Sequence, residues 1–197
     1  MATTGKSAAV TNVGKIRANN QDSGYAGKQL FVVADGMGGH AGGDVASAIA
    51  ITRIIETDKS YASAHDAEFA LQASLLAANS LLAETVFEHP ELTGMGTTVS
   101  GILRVGNQLA LAHIGDSRIY RFRDGILTQI SADHTFVQRL VDSGRITPEE
   151  AAVHPRRSVL MRVLGDVDSS PEIDTAVLDT QAGDRWRLME NASHAFL

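Results

Sequence analysis

The chain has 197 residues, 44% hydrophobic and 20% charged, with 18 Gly and 4 Pro, which excludes a disordered tail and suits one compact domain or at most two small ones. Cys is absent, so disulfides, thiolate zinc sites and a cysteine nucleophile are excluded, and a catalytic metal would have to be held by oxygen or imidazole. A formal charge of −6 with no long run of either sign argues against nucleic acid as a partner, and the lack of about eighteen consecutive apolar residues or a basic-then-apolar leader predicts a soluble, cytoplasmic protein with no membrane partner.

In chain order, the apolar runs Ser7 to Val13 and Gln29 to Ala34 predict two strands joined by a polar, Asn-rich loop from Gly14 to Gly27. After the glycine-rich segment Gly36 to Gly43, the spacing of Val45, Ile49, Thr52 and Ile55 predicts a helix with Asp44 near its start. A second helix carries the stripe Leu71, Leu75, Ala78, Leu82 and Val86, which needs a sheet to cover it. Four strands follow at Thr98 to Val105, Leu109 to Ile114, Ile119 to Arg123 and Leu127 to Ile130, and the short turns Gly106-Asn107 and Asp124-Gly125 make their pairing antiparallel. Phe136 to Val141 predicts a short helix, and Thr147-Pro148-Glu149-Glu150 has the cap, first-turn proline and Glu of another, so the stretch to about Gly165 reads as helical. Strands return at Ile173 to Leu178 and around Trp186 and Leu188. Helices segregated from antiparallel strands indicate an α+β layered fold, which weakens a nucleotide-binding reading of the glycines, as does the missing Gly-Lys-Ser/Thr ending.

Three polar segments could carry chemistry. Asp35-Gly36-Met37-Gly38-Gly39-His40 follows an apolar strand, so its carboxylate and carbonyls are hard oxygen donors suited to Mn²⁺ or Mg²⁺; an Asp-Gly turn with a glycine hinge is the bland alternative. In Arg17-Ala18-Asn19-Asn20-Gln21-Asp22, Arg17 offers a planar fork matched to phosphate and Asp22 could accept hydrogen bonds from water around an ion, although such residues are commonly just solvated. Gly115-Asp116-Ser117-Arg118 interrupts a β pattern, and Asp116 is either a further ligand or part of a tight turn.

Taken together with Gly94-Met95-Gly96-Thr97-Thr98, Asp133-His134-Thr135 and Leu164-Gly165-Asp166, these segments occur in an order that resembles the metal-dependent serine/threonine phosphatases of type 2C, particularly the actinobacterial enzymes paired with eukaryotic-like kinases. The resemblance implies a four-layer αββα sandwich with two antiparallel sheets, incomplete at the carboxy terminus, formed by 1–197 as a single domain with a flap-like segment at 134–165 and a divergent tail at 187–197. It implies hydrolysis of phosphoserine and phosphothreonine in proteins, a signalling role, two or more Mn²⁺ or Mg²⁺ ions in a complete site, and phosphorylated proteins, including a kinase, as partners. By motif matching, Asp35 bridges the ions, Gly36 donates its carbonyl, Asp116 serves an additional metal site, Asp22 is catalytic in the outer shell, and Arg17 is catalytic as the holder of the substrate phosphate. His40 is a candidate general acid.

The ending departs from the family. Counting from Gly183-Asp184-Arg185-Trp186 puts Asn191 where the family has its second metal Asp, and the third lies beyond Leu197. A neutral amide does not replace a carboxylate, and Glu190 would compensate only if the strand's pleat turned it inward. A non-catalytic phosphoprotein- or kinase-binding module is therefore the alternative, and the shortened fold is expected to expose a sheet edge and apolar surface.

Overall fold

The computed structural model describes residues 5–12, 20–38, 42–165 and 170–190. Its larger sheet has six strands, in the order β1 (Asp22–Ala26), β2 (Leu30–Met37), β4 (Val99–Val105), β5 (Gln108–Ile114) and β8 (Asp174–Asp179), with the short β3 (Gly96–Thr97) pairing the end of β2. A second sheet of three strands runs β7 (Ile126–Gln129), β6 (Arg118–Arg123), β9 (Arg185–Met189). All named pairings are antiparallel. The α+β reading with two antiparallel sheets stands.

Strand alternation divides the interior into two layers. Leu30, Val32 and Ala34 of β2, Val99 and Leu103 of β4, and Ala110, Ala112 and Ile114 of β5 pack against α1 (Gly42–Ile55) and α2 (Ala64–Glu88). The intervening residues, among them Ile102, Leu109 and Leu111, meet Ile119, Trp186 and Leu188 of the smaller sheet. One helical layer and two sheets are thus stacked. Among the described residues no helix covers the outward face of the smaller sheet.

α2 begins where the Ser63 hydroxyl accepts from the Asp66 amide, and it buries Leu71, Leu75, Ala78 and Leu82, as their spacing predicts. It is long and apolar enough to cross a membrane by length and composition, but one side of it forms the core against β4, β5 and β8. In α1 the buried set is Ala46, Ser47, Ala50, Ile51 and Ile54, so the face is turned from the Val45/Ile49/Thr52/Ile55 stripe expected from bulk. Small side chains bring α1 close to the sheet: a Cβ on Gly36 would collide with the carbonyl of Gly43.

Three further expectations are corrected. Residues 5–12 are exposed and belong to no named strand, so the strand expected at Ser7 to Val13 is not seen among the described residues. The predicted loop from Gly14 to Gly27 contains β1, which has little apolar pattern of its own and is recruited through its ladder with β2. The stretch to Gly165 is helical only in α3 (Phe136–Asp142) and α4 (Pro148–Ala152); the latter has the full Thr147/Glu150 capping box. Beyond it, Leu160 bridges back to Thr135, and the Thr97↔Leu164 bridge returns the chain to the sheet.

Candidate metal centre

Asp22 and Asp35 stand directly opposite each other in the β1–β2 ladder, so their side chains share one face of the sheet. Asp35 alternates with Phe31 and Val33, which puts it on the face turned toward the second sheet. Its backbone is clamped: the Asp35 amide donates to Thr98 Oγ1 at 3.0 Å, and its carbonyl accepts from Thr97 Oγ1 at 3.0 Å and from the Thr98 amide at 2.9 Å. The Thr97-Thr98 pair therefore fixes where the carboxylate emerges.

The third acid comes from the far end of the described chain. Ligand oxygens of Asp22, Asp35 and Glu190 all lie within 4.8 Å of one another. Trp186, Leu188 and Glu190 have the same parity along β9, and the first two face the interior, so the pleat carries Glu190 inward as well. Glu190 thus meets the condition of an inward turn under which it supplies an acid group, and Asn191 lies outside the described residues.

Glu190 is held from one side only. Ser117 Oγ donates to its Oε2 at 2.7 Å, and with that one proton spent, Ser117 Oγ accepts from Thr98 Oγ1 at 2.6 Å. The result is a relay from the Asp35 amide through Thr98 and Ser117 to Glu190. Its other oxygen, Oε1, is buried without a hydrogen-bond partner. Burial above all raises the Glu190 carboxyl to about 8; the Ser117 hydrogen bond opposes this, while the charges of Asp35, Asp22 and Asp116 add to it. Gathered carboxylates with an orphaned buried oxygen lack a positive charge, and their all-oxygen donor set fits a hard divalent cation such as Mn²⁺ or Mg²⁺.

Asp116 sits in the β5–β6 connection, 8% exposed, close enough for its charge to act on Glu190 though outside the three-residue group. Gly36 follows Asp35 near the end of β2, and its amide donates to the Gln21 carbonyl at 3.1 Å, just before β1 begins. Arg17, His40 and Asp166 lie outside the described residues. Sequence reasoning missed Ser117 and the Thr97-Thr98 clamp as positioning groups; nothing but their motif context marked them.

Asp133 and His134 serve elsewhere. Asp133 forms a two-pronged ion pair with Arg118, closest at 2.6 Å, and this raises the arginine's pKa further. His134 Nδ1 accepts from the Gly115 amide, so its Nε2 proton is directed to Asp174 at 3.0 Å. Next to it, fully buried His113 donates from Nε2 to the Ala132 carbonyl and accepts from Ser100; burial first, then His134, lowers its pKa to about 4. A cavity of about 420 Å³ opens beside His113, Ala132 and Asp174. It contains none of the three clustered acids, and its charged lining already has partners in His134 and Arg162.

Two face-to-face antiparallel sheets with acids from both gathered at their rim define an α+β sandwich protein with a candidate cation centre. The family model described as protein phosphatase 2C matches residues 15–158, and the chain belongs to that family. It is 50% identical over 181 residues to the serine/threonine protein phosphatase PstP of Mycobacterium tuberculosis, covering 92% of this chain but 35% of that protein, so it spans about a third of that relative's length. It is 35% identical to the serine/threonine phosphatase stp of Listeria monocytogenes, covering 88% of this chain and 72% of that one. The fold matches the crystal structure of M. tuberculosis PstP/Ppp with a TM-score of 0.83, over 89% of this chain and 73% of that one at 50% identity. It also matches the PstP catalytic domain in complex with 2 manganese ions, with a TM-score of 0.79 at 47% identity, covering 89% and 72%.

Proposed function

We propose that the chain is a metal-dependent phosphoprotein phosphatase domain acting on phosphoserine and phosphothreonine. The observation that carries this reading is the meeting of Asp22, Asp35 and Glu190 on a protein phosphatase 2C fold. Asp35 and Glu190 would hold Mn²⁺ or Mg²⁺ directly, with Asp22 beside them and Asp116 at a further position. The ions, when bound, supply the Lewis acidity that lets water attack a phosphoryl group near neutral pH.

The chain's own residues set the geometry. Thr97 and Thr98 hold the Asp35 backbone, and Ser117 turns Glu190 into the site. By motif matching, Arg17 grips the phosphate with its guanidinium fork and His40 is the candidate proton donor to the leaving seryl oxygen. The flap-like segment 134–165 is closed on itself by the Thr135↔Leu160 bridge and tied to β3 at its end by Thr97↔Leu164, which suits an element bordering the substrate entrance. Phosphorylated proteins, a serine/threonine kinase among them, are the proposed substrates, and the cytoplasm their place of encounter.

The test is manganese-dependent release of phosphate from a phosphothreonine peptide. Turnover that disappears in Asp35→Ala is expected. Binding of the phosphopeptide without turnover at any manganese concentration would overturn the enzymatic reading in favour of a non-catalytic binding module. Glu190 weighs against that module, because the missing-carboxylate argument for it is met in part by this residue.

A further inference from the structure

The corner that carries Asp116 and Ser117 is held from outside the acid cluster, by two adjacent residues that follow the β6–β7 hairpin. Where the chain leaves the corner, Arg118 forms its two-pronged ion pair with Asp133. Where the chain enters it, His134 makes two hydrogen bonds to Gly115. The Gly115 amide donates to His134 Nδ1 at 3.1 Å, and the His134 amide donates to the Gly115 carbonyl at 2.8 Å. Gly115 has a φ of +107°, in the left-handed region that favours glycine, and a Cβ there would stand 2.5 Å from the Thr98 side chain. The turn is therefore pressed between His134 on one side and, on the other, Thr98, which donates to Ser117 and through it steers Glu190.

The His134 ring accepts from Gly115 only while Nδ1 carries no proton, and its surroundings keep it so. Nε2 faces Asp174 Oδ2 at 3.0 Å, so the ring proton resides on Nε2. Asp174 is in turn fixed on β8 by its place opposite His113 and by Arg162, which donates to Oδ1 at 3.2 Å. His113 packs its ring against His134 with centroids 4.9 Å apart, and its own lowered pKa of about 4 leaves it uncharged at neutral pH. The Met161 amide donates to the His134 carbonyl at 2.8 Å, so the flap-like segment also returns to this residue.

We infer that His134 is a positioning residue for the candidate cation centre: its Nδ1, kept an acceptor by Asp174, fixes the Gly115 turn and so sets where Asp116 and the Ser117 hydroxyl point. The inference rests on the reading of Asp22, Asp35 and Glu190 as a centre for Mn²⁺ or Mg²⁺. Asp133 does not duplicate the role, because its pair with Arg118 fixes the strand that leaves the corner and not the turn that enters it. A ring that only fills space matters through its volume. A positioning acceptor matters through one atom.

The test compares two replacements that keep different nitrogens' roles. In His134→Asn the side-chain oxygen falls at the place of Nδ1 and still accepts from Gly115, while the reach to Asp174 is lost. In His134→Gln the amide reaches the place of Nε2 and Asp174, while the Gly115 amide loses its acceptor. Two quantities are read: hydrogen exchange at the Gly115 amide in the metal-free protein, by NMR, and manganese affinity, by calorimetry. The parent and His134→Asn are expected to protect Gly115 and to bind manganese within about threefold of each other, whereas His134→Gln exchanges Gly115 about tenfold faster and binds about tenfold more weakly. Equal behaviour of the two variants overturns the inference, as does weaker binding by His134→Asn than by His134→Gln. So does a change in Gly115 exchange that leaves manganese affinity untouched. The ring nitrogen shifts of the parent need no variant: a proton on Nε2 is expected, and a proton on Nδ1 overturns the inference even if neither variant folds. A parent that protects Gly115 yet binds no manganese overturns the cation-centre reading itself, and the inference with it.

Discussion

At the scale of the residue, the site depends on groups that touch Asp35 and Glu190 rather than on those two alone. Ser117→Ala removes the donor to Glu190 Oε2 and leaves that carboxylate unsteered. Manganese affinity measured by calorimetry should fall about 10- to 100-fold with the fold intact. Glu190→Gln keeps the shape and removes the charge, so its loss of affinity should equal or exceed that of Ser117→Ala; unchanged binding would mean that Glu190 does not approach the ion. A different residue sets the acid limit of stability. The unfolded chain takes up a proton on His113 near 6.5, while the folded protein resists it until about 4. The unfolded state therefore binds more protons in that window, so the contribution of His113 is complete above pH 6.5 and is lost as pH falls toward 4. It amounts to about 3 kcal/mol. Denaturant titrations of parent and His113→Gln should show a smaller stability difference at pH 4.5 than at pH 7.5.

At the scale of the element, β2 and α1 meet through backbone. In Gly36→Ala the new methyl would overlap the Gly43 carbonyl, so strand and helix must separate, at a cost of about 1–3 kcal/mol or more, read as a lowered Tm. Leu75→Ala on α2 should cost about 2–5 kcal/mol, because this fully buried side chain lies at the helix–sheet interface. The same elements explain what the sequence disclosed. β4 and β5 were legible because Val99 to Ile114 alternates around a Gly106-Asn107 turn, and α2 because large apolar residues mark its buried stripe. α1 misled because alanines and a serine do the packing, and size-based periodicity gives those residues little weight. β1 was hidden because Asp22, Ser23 and Gly24 carry no strand pattern, and only the neighbouring β2 makes them one. For the site, Asp22, Asp35 and Asp116 were legible as motif acids. Glu190 had a signal in its shared parity with Trp186 and Leu188, but alignment by count favoured its neighbour.

At the scale of the whole molecule, an ion bound by the native arrangement and not by the unfolded chain stabilises the entire domain. At manganese concentrations about a hundredfold above Kd, the gain should be about 2.7 kcal/mol. For a chain of 197 residues this is a rise of about 5–10 °C in Tm, reversed by chelator. In Asp35→Ala that rise should vanish while the metal-free Tm changes little or even increases, since a like-charged neighbour of Glu190 has been removed.

The acids that gather at the rim also come from opposite ends of the chain. Asp22 and Asp35 are delivered by one local hairpin, whereas Glu190 arrives on the final described strand. Such distant encounters are slow to form. Until β9 pairs with β6, the hairpin presents two acids rather than three, so a form of the domain with β9 detached should hold a divalent ion less tightly than the fully docked one.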